Sequence, residues 1–193
     1  MPVVEVGQYR VALTGTPGTG KTTASHGLLQ LPEWQSLGGE VAEVSQLALR
    51  FGCGSPLSSL PSVVEVDMEC LSDRMRSTKP AGPMLVVGHL AHLLPVDRIL
   101  LLRCDPSLLE RRLRLRGDPP PSIQQNIESE LTDLILVEAV ESGHPVYERD
   151  VSREDPTTTA RWILKVLTGR EAPSHGAVDW LSGDVRIPQS GGG

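Results

Sequence analysis

Apolar positions along this chain come mostly in unbroken runs rather than alternating with polar ones. Residues 9–14, 84–89 ("MLVVGH") and 98–104 ("RILLLRC") are three such runs with β-branched content. Runs of this kind suit strands covered on both faces, as in a parallel sheet. "EVAEV" at 40–44 and "PVYERD" at 145–150 read as two further strands, making five. Between them the pattern turns helical. A helix is predicted from Lys21 to about Leu31, stopped by Pro32, with another around 45–51. Asp67 is placed to cap a helix over 67–77. Asp105 and Pro106 occupy N-cap and first-turn positions of a helix that ends at Gly117. "DPPP" at 118–121 excludes helix interior. Ile123, Ile127, Leu131 and Ile135 then recur every fourth residue, predicting one long amphipathic helix. Trp162, Ile163 and Leu167 line a last helix, and an irregular tail is expected from Gly169. The Gly-, Pro- and Ser-rich stretch 52–62 reads as loop. Strands alternating with helices predict a three-layer α/β/α domain over residues 1–168.

The junction of the first strand and first helix carries the chemistry. Gly15-Thr-Pro-Gly-Thr-Gly-Lys21-Thr22 fits the phosphate-loop pattern G-x-x-x-x-G-K-[ST], in the strand-to-helix context that pattern needs. Glycines let the backbone close around phosphates with N–H groups inward. The helix N-terminus adds the positive end of its dipole. Lys21 is placed to reach the β- and γ-phosphates, and the Thr22 hydroxyl to ligate Mg²⁺. The sequence therefore predicts a nucleoside triphosphate site using ATP and Mg²⁺.

Composition narrows the partners. At 193 residues, with a net charge of −6 and 3% aromatic residues, the chain offers no general attraction to nucleic acid and few stacking platforms. No apolar run reaches membrane-spanning length, and the N-terminus does not read as a secretory signal, so a cytoplasmic protein is expected. Cys53, Cys70 and Cys104 are far apart and odd in number, which predicts isolated thiols rather than a zinc or redox motif.

Among phosphate-holding proteins, a GTPase lacks support because no N-K-x-D guanine motif is present. The length argues against a motor. A small nucleotide kinase remains. "RRLRLRG" supplies Arg111, Arg112, Arg114 and Arg116, with Arg112 and Arg116 sharing a helix face. Guanidinium groups neutralise charge spreading over a migrating phosphoryl group. The same segment also suits a solvated basic helix end.

"TGTPGTGKTT", "GHLAHLLPVDRILLLRC", "ERRLRLRG", "NIESELTDLILVEAVE", "PVYERD" and "VDW" occur in that order between about Tyr9 and Trp180. In this set the chain resembles the archaeal adenylate kinases related to adenylate kinase isoenzyme 6, the coilin-interacting nuclear ATPase. The resemblance implies an adenylate-kinase-like P-loop fold with a monophosphate-binding region at about 43–66 and a short lid at about 115–125. It implies nucleoside monophosphate kinase activity with AMP favoured, some ATPase activity, and a role in small ribosomal subunit and rRNA maturation. The partner would be a platform protein of the small subunit. By position, Gly18, Gly20, Lys21, Thr22 and Thr23 bind ATP, Arg116 is the lid arginine, and His89 lies near the γ-phosphate. Asp179-Trp180 matches the late motif, where Trp180 docks the tail.

Three departures from the family pattern stand out. Val87 occupies a slot, two before His89, that is often acidic and holds the Mg²⁺ water shell; Asp67 is a candidate substitute. Gln46 stands where a carboxylate is common, which opens the reading of a small-metabolite kinase. "RGDPPPS" makes the lid stiffer and less cationic. Slower transfer and a larger share of hydrolysis follow, so an assembly ATPase with incidental kinase turnover is the alternative reading. His89 and His92, three apart, lack an evident third metal ligand. Arg50 suits either an acceptor phosphate or a solvated helix end.

Overall fold

The computed structural model describes residues 7–57 and 60–181. Five parallel strands form one sheet: β1 (Arg10–Thr14), β2 (Glu40–Glu43), β5 (Met84–Val87), β6 (Arg98–Arg103) and β7 (Val146–Asp150). Their order across the sheet is β2-β5-β1-β6-β7, which puts β1 at the centre. The strands that read as continuous apolar runs are the three central ones, because only they have both faces covered.

Successive side chains point to opposite faces, and the two halves of the core follow from that period. Val11, Leu13, Leu85, Val87, Leu100 and Leu102 face α1 (Lys21–Leu29) and α8 (Pro156–Leu167), packing with Leu28, Trp162 and Ile163. Ala12, Val86 and Ile99 face the other way. They pack with residues of α3 (Val44–Phe51), α4 (Met68–Arg76) and α7 (Leu134–Glu141), among them Leu47, Ala48, Leu71, Met75 and Ala139. A third cluster, Cys104, Leu109, Leu113 and Ile123, joins α5 (Pro106–Arg116) to α6 (Pro120–Leu131). Fully burying one such aliphatic side chain contributes about 1.5–3 kcal/mol.

Several expectations hold. Asp67 caps α4 by accepting from Cys70 N, and Asp105 caps α5 by accepting from Leu108 N. Gly117 ends α5 in the left-handed conformation.

Others are corrected. Residues 52–62 are not plain loop. β3 (Gly54–Leu57) and β4 (Leu60–Val66) form an antiparallel hairpin, whose residues 58 and 59 lie outside the described chain. Pro56 and the serines hid a two-stranded ribbon, in which every strand is an edge and proline is tolerated. Pro32 stops α1 as expected but also opens a short helix, α2 (Pro32–Ser36), as its first residue.

The single long helix over 123–135 is two helices, broken at Asp133, whose φ is +55°. The break has a cause. The Arg103 guanidinium takes the Glu130 carbonyl at 3.0 Å, and also the Asp133 carboxylate. That carbonyl is thereby diverted from the helical ladder. The thiols are not all isolated either: Cys53 and Cys70 are disulfide-bonded, with Cα atoms 5.6 Å apart, and only Cys104 is a buried free thiol. Cys53 follows the left-handed cap of α3 and Cys70 lies in the first turn of α4. The fold brings together what 17 residues separate.

The tail is not wholly irregular. Ser174 adds a parallel bridge to Tyr147 on the outer edge of β7. Among the described residues, no helix is long and apolar enough to cross a membrane.

Candidate functional site

β1 delivers the chain at the C-terminal edge of the sheet, and residues 15–20 turn it back into α1. Gly15, Gly18 and Gly20 all have positive φ. At Gly15 (φ +134°) a Cβ would meet the Leu102 carbonyl oxygen at 2.3 Å, and at Gly18 (φ +95°) it would meet Leu109 Cδ1 at 2.8 Å. Only glycine fits a loop pressed this closely on β6 and α5. Gly20 gives α1 no side-chain cap, and the first turn holds no acidic residue, so its amides are left for an anion.

Lys21 Nζ lies over this loop, donating to the carbonyls of Gly15 (2.6 Å) and Thr16 (2.9 Å). Burial pushes its pKa down to about 7; Glu130 opposes that shift and Arg116 adds to it. His89 lines the same cleft, two residues after the end of β5. Its pKa is held below the ordinary histidine value by loss of hydration, then by the Lys21 and His92 charges.

A cleft of about 650 Å³ opens from the loop, and Gly18, Gly20, Lys21, Thr22, Thr23, His89 and Arg116 all line it. The structure thus brings these seven residues, all named from the sequence, around one cleft. The far wall is Val64 and Val66 of the hairpin with Met68, while Glu43, Val44 and Ser45 form the floor beside Val87 and Gly88. A second cleft of about 270 Å³ lies on the other side of the loop. Thr19, Thr23, Arg112, Val151 and Pro156 are among its lining residues.

Arg116 is not free. Its Nε donates to Asp118 Oδ1 at 2.6 Å and its Nη2 to Asp118 Oδ2 at 2.5 Å, across the turn between α5 and α6. The segment 115–125 is therefore a helix, a three-residue turn and a second helix rather than an open loop. Arg112 reaches toward the Gly18 carbonyl (3.4 Å) and Cys104 Sγ (3.3 Å). Burial pushes the Cys104 thiol up to about 11, which makes it inert near neutral pH.

Other candidates fall away from the cleft. Asp67 is occupied as the α4 cap and does not line it. Arg50 pairs with Glu40 at 2.5 Å and does not line the cleft. Gln46 completes a capping box with Glu43. His92 is buried, with Nδ1 2.9 Å from Thr14 Oγ1 and Nε2 2.9 Å from Glu138 Oε2, so it braces the turn that carries His89.

Two acidic residues escaped the sequence reading. Glu43 ends β2 directly beside Val87 in the parallel register and lines the cleft. Nothing in the sequence says that β2 lies next to β5. Glu130, fully buried, accepts from the Thr16 hydroxyl of the phosphate loop. Its only signal was a place inside "NIESELTDL", where a helix-period pattern made it look solvated.

A family model described as "AAA domain" matches residues 11–133. A "Putative adenylate kinase" of Thermococcus onnurineus is 35% identical over 170 residues, covering 88% of this chain and 90% of that one. One from Halobacterium salinarum is 38% identical over 175 residues, covering 89% and 97%. The chain belongs to this archaeal putative adenylate kinase family. Another member, from Natronomonas pharaonis, is 36% identical over 173 residues. Among solved structures, shikimate kinase from Acinetobacter baumannii in complex with shikimate matches with a TM-score of 0.54, at 16% identity, over 86% of this chain and 96% of that one. A gluconokinase from Sinorhizobium meliloti matches at 0.50, also at 16% identity, over 84% and 93%. At that identity the likeness shows the fold, a kinase-like P-loop α/β architecture. The adenylate kinase relatives carry the family.

Proposed function

We propose that this protein is an ATP-dependent nucleoside monophosphate kinase, with AMP the favoured acceptor, that hydrolyses ATP when no acceptor is bound. One observation carries the reading: the phosphate loop opens into a single cleft that also takes in Arg116 and the hairpin wall. Donor and acceptor can therefore meet at one γ-phosphate. The α1 amides and Lys21 cradle the β- and γ-phosphates, and the donor base enters the second cleft beside Arg112. The region 43–66 forms the acceptor arm and 115–125 the lid. An oxygen of the acceptor phosphate attacks the γ-phosphorus, the bond to the β–γ bridging oxygen breaks, and ADP leaves. Lys21 and Arg116 neutralise the charge that spreads over the moving group.

The residues present suit Mg²⁺ sparsely. Thr22 lies in the first turn of α1 on the cleft, and Glu43, which also caps α3, lines the cleft beside Val87, where the family acid is missing. Bound there, the ion would neutralise the triphosphate and orient it. His89 faces the γ-phosphate position as a hydrogen-bond donor.

A second reading has its own support. Arg116 is held by Asp118, and Arg50, the cation of the acceptor arm, is turned to Glu40. Both favour slow transfer, hence an ATPase cycle that switches the grip on a partner. By the motifs shared with the isoenzyme 6 branch, that partner is a platform protein of the small ribosomal subunit, in rRNA maturation in the cytoplasm.

ADP formation from Mg-ATP, measured with and without AMP in the wild type and Lys21→Ala, separates the two. A rise with AMP that Lys21→Ala abolishes supports the kinase. Slow ADP release that AMP leaves unchanged supports the switch.

A further inference from the structure

Glu130 is the buried acid that the reading above does not use. It lies in the last turn of α6 and is 2% exposed. Four donors converge on its carboxylate. The Thr16 hydroxyl donates to Oε2 at 2.5 Å; Arg103 Nε (2.7 Å), Cys104 N (3.1 Å) and Trp180 Nε1 (3.1 Å) all donate to Oε1. An ionised carboxylate accepts about four such bonds, and here three fall on Oε1 and one on Oε2.

The four donors come from three separate parts of the chain. Thr16 belongs to the phosphate loop, Arg103 and Cys104 to the end of β6, and Trp180 to the C-terminal segment. Thr16 is held from both sides: its hydroxyl donates to Glu130 while its carbonyl accepts from Lys21 Nζ at 2.9 Å. A continuous hydrogen-bonded path runs from the Trp180 indole through Glu130 and Thr16 to the Lys21 ammonium.

The C-terminal segment is fastened at three places along this path. Ser174 exchanges backbone bonds with β7, from Glu148 N (2.8 Å) and to Val146 O (3.0 Å). The Gly176 and Ala177 amides donate to Glu148 Oε2 at 2.7 and 3.3 Å. The Trp180 ring then covers Arg103, its centroid 5.9 Å from the guanidinium carbon. Arg103 in turn bridges Glu130, Glu148 and Asp133. One cation thus faces three carboxylates, of which Glu130 also contacts the phosphate loop.

We propose that Glu130 is a positioning residue for the phosphate loop and Lys21, and that residues 174–180 form a strap whose Trp180 holds Glu130 in place. The C-terminal segment is then a working part of the nucleotide site. A buried ion cluster that merely stabilises the fold would satisfy Arg103 without engaging Thr16. Here the acid has one oxygen on the cluster and the other on the loop.

The inference rests on reading the cleft as an ATP site, and the test keeps the two apart. Binding of a fluorescent ATP analogue is titrated for the full chain and for Trp180→Phe, Thr16→Val, Thr16→Ser and Glu130→Gln. Leu167→Ala, a core change remote from the loop, controls for lost stability. Losing one hydrogen bond from the path, Trp180→Phe and Thr16→Val should each weaken binding about threefold to tenfold. Thr16→Ser keeps the hydroxyl and should bind like the wild type, and Glu130→Gln should weaken binding at least as much as Thr16→Val, because the charged acceptor is gone. Leu167→Ala should lower the melting temperature and leave the affinity unchanged.

If the wild type binds no ATP, the reading of the site falls and the inference with it. If the wild type binds, but Trp180→Phe and Thr16→Val match it in affinity, the inference alone is overturned. Those two variants decide the matter even where Glu130→Gln does not fold.

Discussion

Arg116 and Asp118 form a two-pronged ion pair across the turn that joins α5 to α6. The pair holds Asp118 below the usual carboxylate range and Arg116 above its own. It also holds the guanidinium at the cleft rim. For Arg116 to close on a γ-phosphate, this pair must open or pivot. Asp118→Ala should therefore raise the AMP-dependent rate about twofold to fivefold, since an exposed pair is worth only about 1 kcal/mol or less. Arg116→Ala should lower the rate about 10²- to 10³-fold, as for other groups aimed at transition-state charge. Steady-state ADP formation reads both, and an inert Asp118→Ala would show that the pair does not restrain the lid.

Lys21 ties nucleotide affinity to pH. Its pKa of about 7 in the empty site will rise when a polyanion binds beside it. Below pH 7 the ammonium is already present and affinity should be flat. Above it, binding has to take up a proton, so affinity should fall by up to about tenfold per pH unit. For folding alone the sign is opposite. The depressed pKa marks a cost of burying the ammonium that is full below pH 7 and relieved as pH rises toward the unfolded value of about 10.4. Lys21→Ala should flatten the binding profile in a titration from pH 6 to 9.

The Cys53–Cys70 bond closes a short loop around the hairpin that walls the cleft. Reduction, or Cys53→Ser with Cys70→Ser, should lower stability by about 3 kcal/mol through freedom regained in the unfolded chain. Denaturant melts with and without reductant measure it. ATP binding should persist in the reduced protein, because the phosphate loop lies on another strand.

Gly15→Ala should be far more damaging than an ordinary surface change. The new Cβ would strike the Leu102 carbonyl oxygen in a backbone conformation that L-residues avoid. A loss of 2 kcal/mol or more, roughly, together with loss of ATP binding is expected in thermal melts and nucleotide titration.

The central strands and the phosphate loop could be read directly from the chain because their signals are local. A strand covered on both faces must be apolar throughout, and a backbone that wraps phosphate must carry glycine at fixed spacing. The caps at Asp67 and Asp105 are equally local, each satisfied within three residues. Lys21 and Thr22 stand out in the local phosphate-loop pattern, Arg116 in the arginine-rich segment and His89 through the family resemblance, and all four line one cleft.

What escaped the sequence was set by partners distant along the chain. The hairpin was masked by residues typical of loops, and the disulfide needed α3 and α4 to be side by side. The break at Asp133 arises because Arg103, thirty residues earlier, takes a carbonyl from the helix. Glu43 acquires its place beside Val87 only through strand order, and Glu130 its place under Thr16 only when α6 packs against the loop. The sequence by itself determined where phosphate can be held, since that depends on backbone freedom and one lysine. Tertiary structure alone decided which acids stand around it, because burial and charge pairing are properties of neighbours in space.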